Sequence, residues 1–329
     1  SGGDLLAYAV DTTGGRVNTI RIKNLKTGVL LPDVIPNTMG GVAWAEDNRT
    51  LFYVKPDPVS VRPYQVYRHR LGTDAVTDQK VFEDNDEQYY VSVFKTKSHR
   101  YIMIQSWQTM ATEYRYVQAD KPDEQFHVLI PRERGHEYFA NHFGDYFYIL
   151  SNDHAKNFRL MRTPVSNPGR ASWQEVIPHR PDVLIEDFEF FRNYLVLTER
   201  KDGLVQLRVR PWNGSAEHYL DFGEPAYLAY VSTNRDFDTP LLRYVYTSLT
   251  TPSSTYDYDM RTRQKTLLKR DSILGGFAPA NYVTERVYTT ARDGARVPVS
   301  IVYRKGLSRP APLLLTGYGS YGSSSDPTF

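Results

Sequence analysis

Gly41-Val42-Ala43-Trp44-Ala45-Glu46-Asp47-Asn48, Leu51-Phe52-Tyr53-Val54, Gln65-Val66-Tyr67-Arg68 and Gln79-Lys80-Val81-Phe82 are four short runs separated by turn-forming residues. Aromatic and β-branched side chains dominate them, which suits pleated, half-buried strands rather than a helix face. The second run is the most hydrophobic, the third carries an outward-facing mix, and the fourth closes the unit. The pattern recurs. Similar openings begin near Leu5, Gly41, Tyr89, His136, Val183 and Ala226, at spacings of roughly 36 to 48 residues. Apolar second runs follow at Tyr101-Ile102-Met103-Ile104, Tyr146-Phe147-Tyr148-Ile149-Leu150, Tyr194-Leu195-Val196-Leu197 and Leu242-Arg243-Tyr244-Val245-Tyr246. Four short strands repeated every ~40–50 residues predict the blades of a β-propeller rather than an irregular sandwich. Six blades are readable.

Composition narrows the function. The chain has 329 residues, a net charge of +2 and 24% charged residues, which favours neither nucleic acid nor an anionic membrane surface. Basic clusters such as Arg68-His69-Arg70 and Arg132-Glu133-Arg134 read as solvated strand edges. There is no cysteine, hence no disulfide framework, thiol nucleophile or Cys-ligated metal. No apolar run reaches the ~18 residues of a spanning helix. With no signal-peptide pattern at Ser1-Gly2-Gly3-Asp4, a cytoplasmic location is expected.

The texture changes after Gly275-Gly276, which read as a hinge pair, and the domain boundary is placed near Phe277. Asn281–Thr290 reads as a strand, Arg292-Asp293-Gly294 as its turn and Val297–Tyr303 as the returning strand. Pro312–Thr316 is expected to begin a third strand. The overall expectation is mainly β: a propeller over residues 1–277, then the first strands of an α/β-hydrolase domain over 278–329.

Several ordered strings carry a resemblance: Leu6-Ala7-Tyr8-Ala9-Val10-Asp11-Thr12, Tyr64 to Thr73, Ser248-Leu249-Thr250-Thr251-Pro252, Ala291-Arg292-Asp293-Gly294 with Val297-Pro298-Val299-Ser300, and Thr316-Gly317-Tyr318-Gly319-Ser320-Tyr321-Gly322. Together they resemble the oligopeptidase B branch of the prolyl oligopeptidase family of serine peptidases. The resemblance implies a seven-bladed propeller that caps the active site and excludes folded proteins by size. Against it, Leu5 reads as lying in the second family blade, so the first blade and a leading segment are expected to be absent here. It further implies cleavage of short peptides after Arg or Lys, no cofactor, and an oxyanion-holding phenol at Tyr318.

The chemistry is incomplete within the sequence. Acyl transfer needs an activated nucleophile and donors aimed at the oxyanion. Gly319-Ser320-Tyr321-Gly322 has one glycine misplaced for a nucleophile elbow, and Ser320 falls too early, so the triad Ser, Asp and His are expected outside this chain. The isolated chain is expected to be inactive, with the remainder of the catalytic domain as its partner. The eight histidines lie between residues 69 and 218 without metal-ligand spacing, and no metal site is expected. The densest acidic run, Glu83-Asp84-Asn85-Asp86-Glu87, reads as a solvated loop. A different class of function, a non-catalytic propeller used for binding, fits the same repeats. Labelling by an active-site serine probe once a complementary fragment is added separates the two.

Overall fold

A computed structural model describes residues 3–329. Its regular structure is β-strand, with three single-turn 3-10 segments at Ala75–Thr77, Arg170–Ser172 and Pro279–Asn281 and no α-helix among the described residues. No helix there is long and apolar enough to cross a membrane. The chain forms two compact units, Ser1–His154 with Arg159–Pro178, and Ala155–Phe158 with His179–Phe329.

The first unit holds four antiparallel sheets in chain order. The first has three strands, Leu5–Val10, Asn18–Asn24 and Leu30–Thr38. The second contains the four runs between Gly41 and Glu83 as strands Val42–Trp44, Thr50–Pro56, Pro63–Arg70 and Gln79–Glu83. The third (Tyr90–Lys95 to His127–Ile130) and fourth (Tyr138–Phe143 to Gln174–Ile177) repeat this four-stranded meander. In the second unit, the fifth sheet runs from Val183–Phe190 to His218–Tyr219 and the sixth from Tyr227–Val231 to Lys265–Arg270, each with four strands. A two-stranded hairpin, Tyr282–Thr290 with Arg296–Arg304, follows. Sequential pairing of neighbours matches the six expected repeats.

Short polar side chains set the turns. The Asp11 carboxylate accepts from the amides of Thr13, Gly14 and Arg16, Asp47 from Arg49 and Thr50, Asp57 from Val59 and Ser60, and Asp259 from Arg261 and Thr262. An Asp at the start of such a turn replaces the ladder with local bonds, and so ends one strand and aims the next.

The apolar second runs are continuous because both faces of their strands are covered. In the third sheet Ile102 and Ile104 pack with Phe52, Val54 and Val66 of the second. Tyr101 and Met103, pointing the other way, pack with Tyr138, Phe147 and Ile149 of the fourth. Leu51 and Tyr53 likewise face Ile20, Ile22 and Ile35 of the first sheet. The fifth and sixth sheets meet through Val196, Leu207, Val209, Ala229, Leu242 and Tyr244. Each fully buried Leu, Ile or Phe contributes about 1.5–3 kcal/mol. Stacked sheet faces therefore decide the register along the chain.

Two expectations need correction. Pro312–Thr316 is not a strand: Leu313, Leu314 and Leu315 are 81%, 87% and 78% exposed. Strand identity requires a ladder partner, and none lies beside this run among the described residues. The Arg68-His69-Arg70 cluster is not simply a solvated edge either. His69 is fully buried, bonded through Nδ1 to Asp78 (2.8 Å) and Nε2 to Asp33 (3.1 Å). Strand alternation turns its side chain inward while Arg68 and Arg70 reach Asp123.

Candidate active-site segment and its anchors

The hairpin Tyr282–Arg304 closes as its sequence dictates. The Ala291 amide donates to the Ala295 carbonyl (2.9 Å), the Gly294 amide to the Ala291 carbonyl (3.0 Å), and Gly294 adopts φ +85. Beyond it, residues 307–325 are exposed apart from a half-buried Ala311. Tyr318 lies in this stretch, 60% exposed, with its phenol bonded to no other described residue. A compact turn follows it, in which the Ser323 amide donates to the Ser320 carbonyl (3.0 Å) and Tyr321 and Gly322 take positive φ. Ser320 has no histidine within hydrogen-bond reach among the described residues.

Gly275 and Gly276 occupy an exposed turn at φ +88 and +78, where an added Cβ would meet nothing. Backbone conformation, not packing, is what calls for glycine there.

Three contacts tie this C-terminal stretch to the fifth and sixth sheets. Asp326 takes two hydrogen bonds from Arg200 (2.6 and 3.1 Å), and the same guanidinium donates to Glu186 (2.6 Å). Burial works against the Arg200 charge, but Asp326 and Glu186 outweigh it and hold its pKa above the ordinary range. Pro327 is buried, and the Phe329 amide donates to Thr247 Oγ1 (3.2 Å) while its ring meets Phe277 edge-on. Upstream, Arg286 donates to the Asp202 carbonyl, and an added Cβ on Gly203 would stand 3.0 Å from both Arg286 Nη2 and Pro298 Cγ.

Glu224 organises the neighbouring turn. Its carboxylate accepts from Ser248 Oγ (2.6 Å), Thr251 Oγ1 (2.7 Å), Tyr246 OH (2.8 Å) and Thr250 Oγ1 (3.3 Å). Burial pushes its pKa up, and these hydroxyls more than offset that and hold it below the usual range. The Ser248–Pro252 string is therefore a carboxylate-held turn, and Thr250 Oγ1 lies 3.4 Å from Thr284 Oγ1 of the hairpin.

Most of the other singled-out groups serve packing. His136 sits between Ser151 and Arg170, and His142 bonds Ser98 through Nδ1 (2.8 Å). Burial, aided by Arg100, lowers the His142 pKa to about 4. The acidic loop is only partly solvated, since Asp84 is buried against Ser106 and Arg132 (2.7 Å). No group of three or more acidic or histidine side chains is placed to hold a metal ion among the described residues. Asp326, Arg200 and Glu224 drew no attention in the sequence, because each is an ordinary surface residue type whose partner lies far along the chain.

Comparison with known proteins adds a family. Residues 1–271 match the model of the prolyl oligopeptidase N-terminal β-propeller domain. The chain is 43% identical over 329 residues to dipeptidyl aminopeptidase BI of Pseudoxanthomonas mexicana, covering 99% of this chain and 45% of that protein. It is 33% identical to protease 2 of Moraxella lacunata, covering 98% and 47%. The structure of oligopeptidase B from Leishmania major superposes with a TM-score of 0.91 at 29% identity, covering 99% of this chain and 47% of that one. The chain thus spans about half the length of the curated relatives it matches.

Proposed function

The chain belongs to the prolyl oligopeptidase family of peptidases through its N-terminal propeller domain, and on that premise we propose that it is part of an oligopeptidase B-like serine endopeptidase cutting short peptides after Arg or Lys. In this reading residues 1–277 form the propeller that admits peptides by size, and residues 278–329 open the α/β-hydrolase domain. The rest of that domain supplies the Ser, Asp and His. The serine attacks the scissile carbonyl, the histidine takes its proton, and Tyr318 donates its phenolic hydrogen to the developing oxyanion. Gly275 and Gly276 act as the hinge. Absence of cysteine fits a cytoplasmic enzyme, which needs no oxidising compartment.

The observation that carries this reading is the uncommitted phenol of Tyr318, exposed between two glycines in the segment that follows a family propeller and a hairpin. A second reading rests on the 43% identical relative, named a dipeptidyl aminopeptidase. In that case the enzyme would release dipeptides from a free N-terminus.

The test uses the full-length protein with chromogenic peptides. Blocked substrates ending in Arg or Lys are expected to turn over, and an active-site serine probe to label the enzyme. Cleavage confined to unblocked dipeptides would favour the second reading. No labelling and no turnover would leave a binding propeller.

A further inference from the structure

The stretch that carries Tyr318 is held at both ends and almost nowhere between. Its upstream end is the hairpin, where the Lys305 amide donates to the Asn281 carbonyl (2.8 Å). Its downstream end is Asp326–Phe329. There, an ion pair reaches the fifth sheet and a backbone bond to Thr247 the sixth, Pro327 is buried, and the Phe329 ring meets Phe277. Arg200 and Asp326 keep only 16% and 21% of their side-chain surface exposed, so salt screens them weakly.

We propose that Asp326–Phe329 is a strap whose Arg200–Asp326 pair latches the Tyr318 segment to the fifth sheet, making Arg200 and Asp326 positioning residues for Tyr318. The latch has one specific joint. Arg200 is oriented from within its own sheet by Glu186 and by the Gly203 carbonyl (3.3 Å), which leaves its remaining donors aimed at Asp326. Pro327 supplies contact area and Phe329 a single backbone bond to Thr247, whereas the two-point guanidinium–carboxylate pair fixes both position and angle. Movement of the post-propeller segment away from the fifth sheet must break this pair. Tyr318 lies only eight residues upstream of Asp326. Its position relative to the fifth sheet therefore depends on whether the strap is closed.

The catalytic meaning of the latch rests on the reading of Tyr318 above, but its existence does not. Because the chain has no cysteine, Ser325→Cys gives a single spin-label position beside Asp326. The label should show an immobilised spectrum in the otherwise unchanged chain. It should shift to the mobile component with Asp326→Asn or Arg200→Gln, and return towards the immobilised one with Asp326→Glu. Glu186→Gln should leave the strap closed, since Asp326 remains paired. A mobile label at the outset, an unchanged spectrum in Asp326→Asn, or equal mobilisation by Glu186→Gln would each overturn the latch. If the latch holds, Asp326→Asn in the full-length enzyme should lower kcat more than it raises KM. Failure of that arm alone would refute the Tyr318 reading and spare the strap.

Discussion

Replacing His69 with leucine removes the centre of a buried charged network. The imidazole is enclosed between Asp33 and Asp78, whose side chains are nearly inaccessible. Asp33 Oδ1 also accepts from the Gly72 amide (2.6 Å), Asp78 Oδ2 from Tyr53 OH (2.9 Å), and Asp33 Oδ2 is buried without a partner. Leucine approximates the volume but leaves two buried carboxylates uncompensated, a change that costs about 3–5 kcal/mol. Tyr53→Phe takes one hydroxyl from a charged acceptor and should cost about 1.5–3 kcal/mol. The larger loss should therefore belong to His69→Leu, and adding Asp33→Asn and Asp78→Asn to it should restore part. Burial lowers the His69 pKa, but bonds to Asp78 and Asp33 outweigh it and hold the value above 6.5. A raised histidine pKa stabilises fully below the unfolded value and loses that stabilisation as pH rises through the folded one. Urea titrations across pH should show the gap between wild type and His69→Leu widest below about pH 6.5 and narrowing above it. A gap under about 1 kcal/mol, or one independent of pH, would refute the charged-imidazole account.

Gly203→Ala combines a left-handed backbone (φ +75) with a Cβ 3.0 Å from the rigid Pro298 ring. It should cost about 1–3 kcal/mol, measurable as a lower urea midpoint for the second unit, and Pro298→Ala should relieve it partly. The exposed Leu313-Leu314-Leu315 run should drive self-association of the isolated chain. Leu314→Glu should reduce the sedimenting oligomer fraction, and an unaltered distribution would place the adhesive surface elsewhere.

Repeat spacing made the sheets legible because each meander is local: the strands that pair are consecutive, and Asp-led turns such as Asp47 and Asp57 mark their ends. The hairpin was legible for the same reason, through Asp293-Gly294. Long-range polar pairing was not. Nothing near Asp33 announces His69, and nothing near Arg200 announces Asp326, 126 residues away. Partners of this kind are chosen by which strand faces which, a property of stacking rather than of local pattern. Pro312–Thr316 shows the complementary error. Apolar composition gives a run the propensity for strand, but the ladder partner decides, and the run remains exposed without one.

Tyr318→Phe in the full-length enzyme tests the central claim most directly, since it removes one hydroxyl and keeps the ring. A donor used mainly in the transition state should lower kcat by roughly 10- to 1000-fold with little change in KM. The phenol makes no bond to another described residue, so the melting temperature should not move. Unchanged kcat would remove Tyr318 from the catalytic machinery, and with it the assignment of residues 278–329 to the opening of a serine peptidase domain.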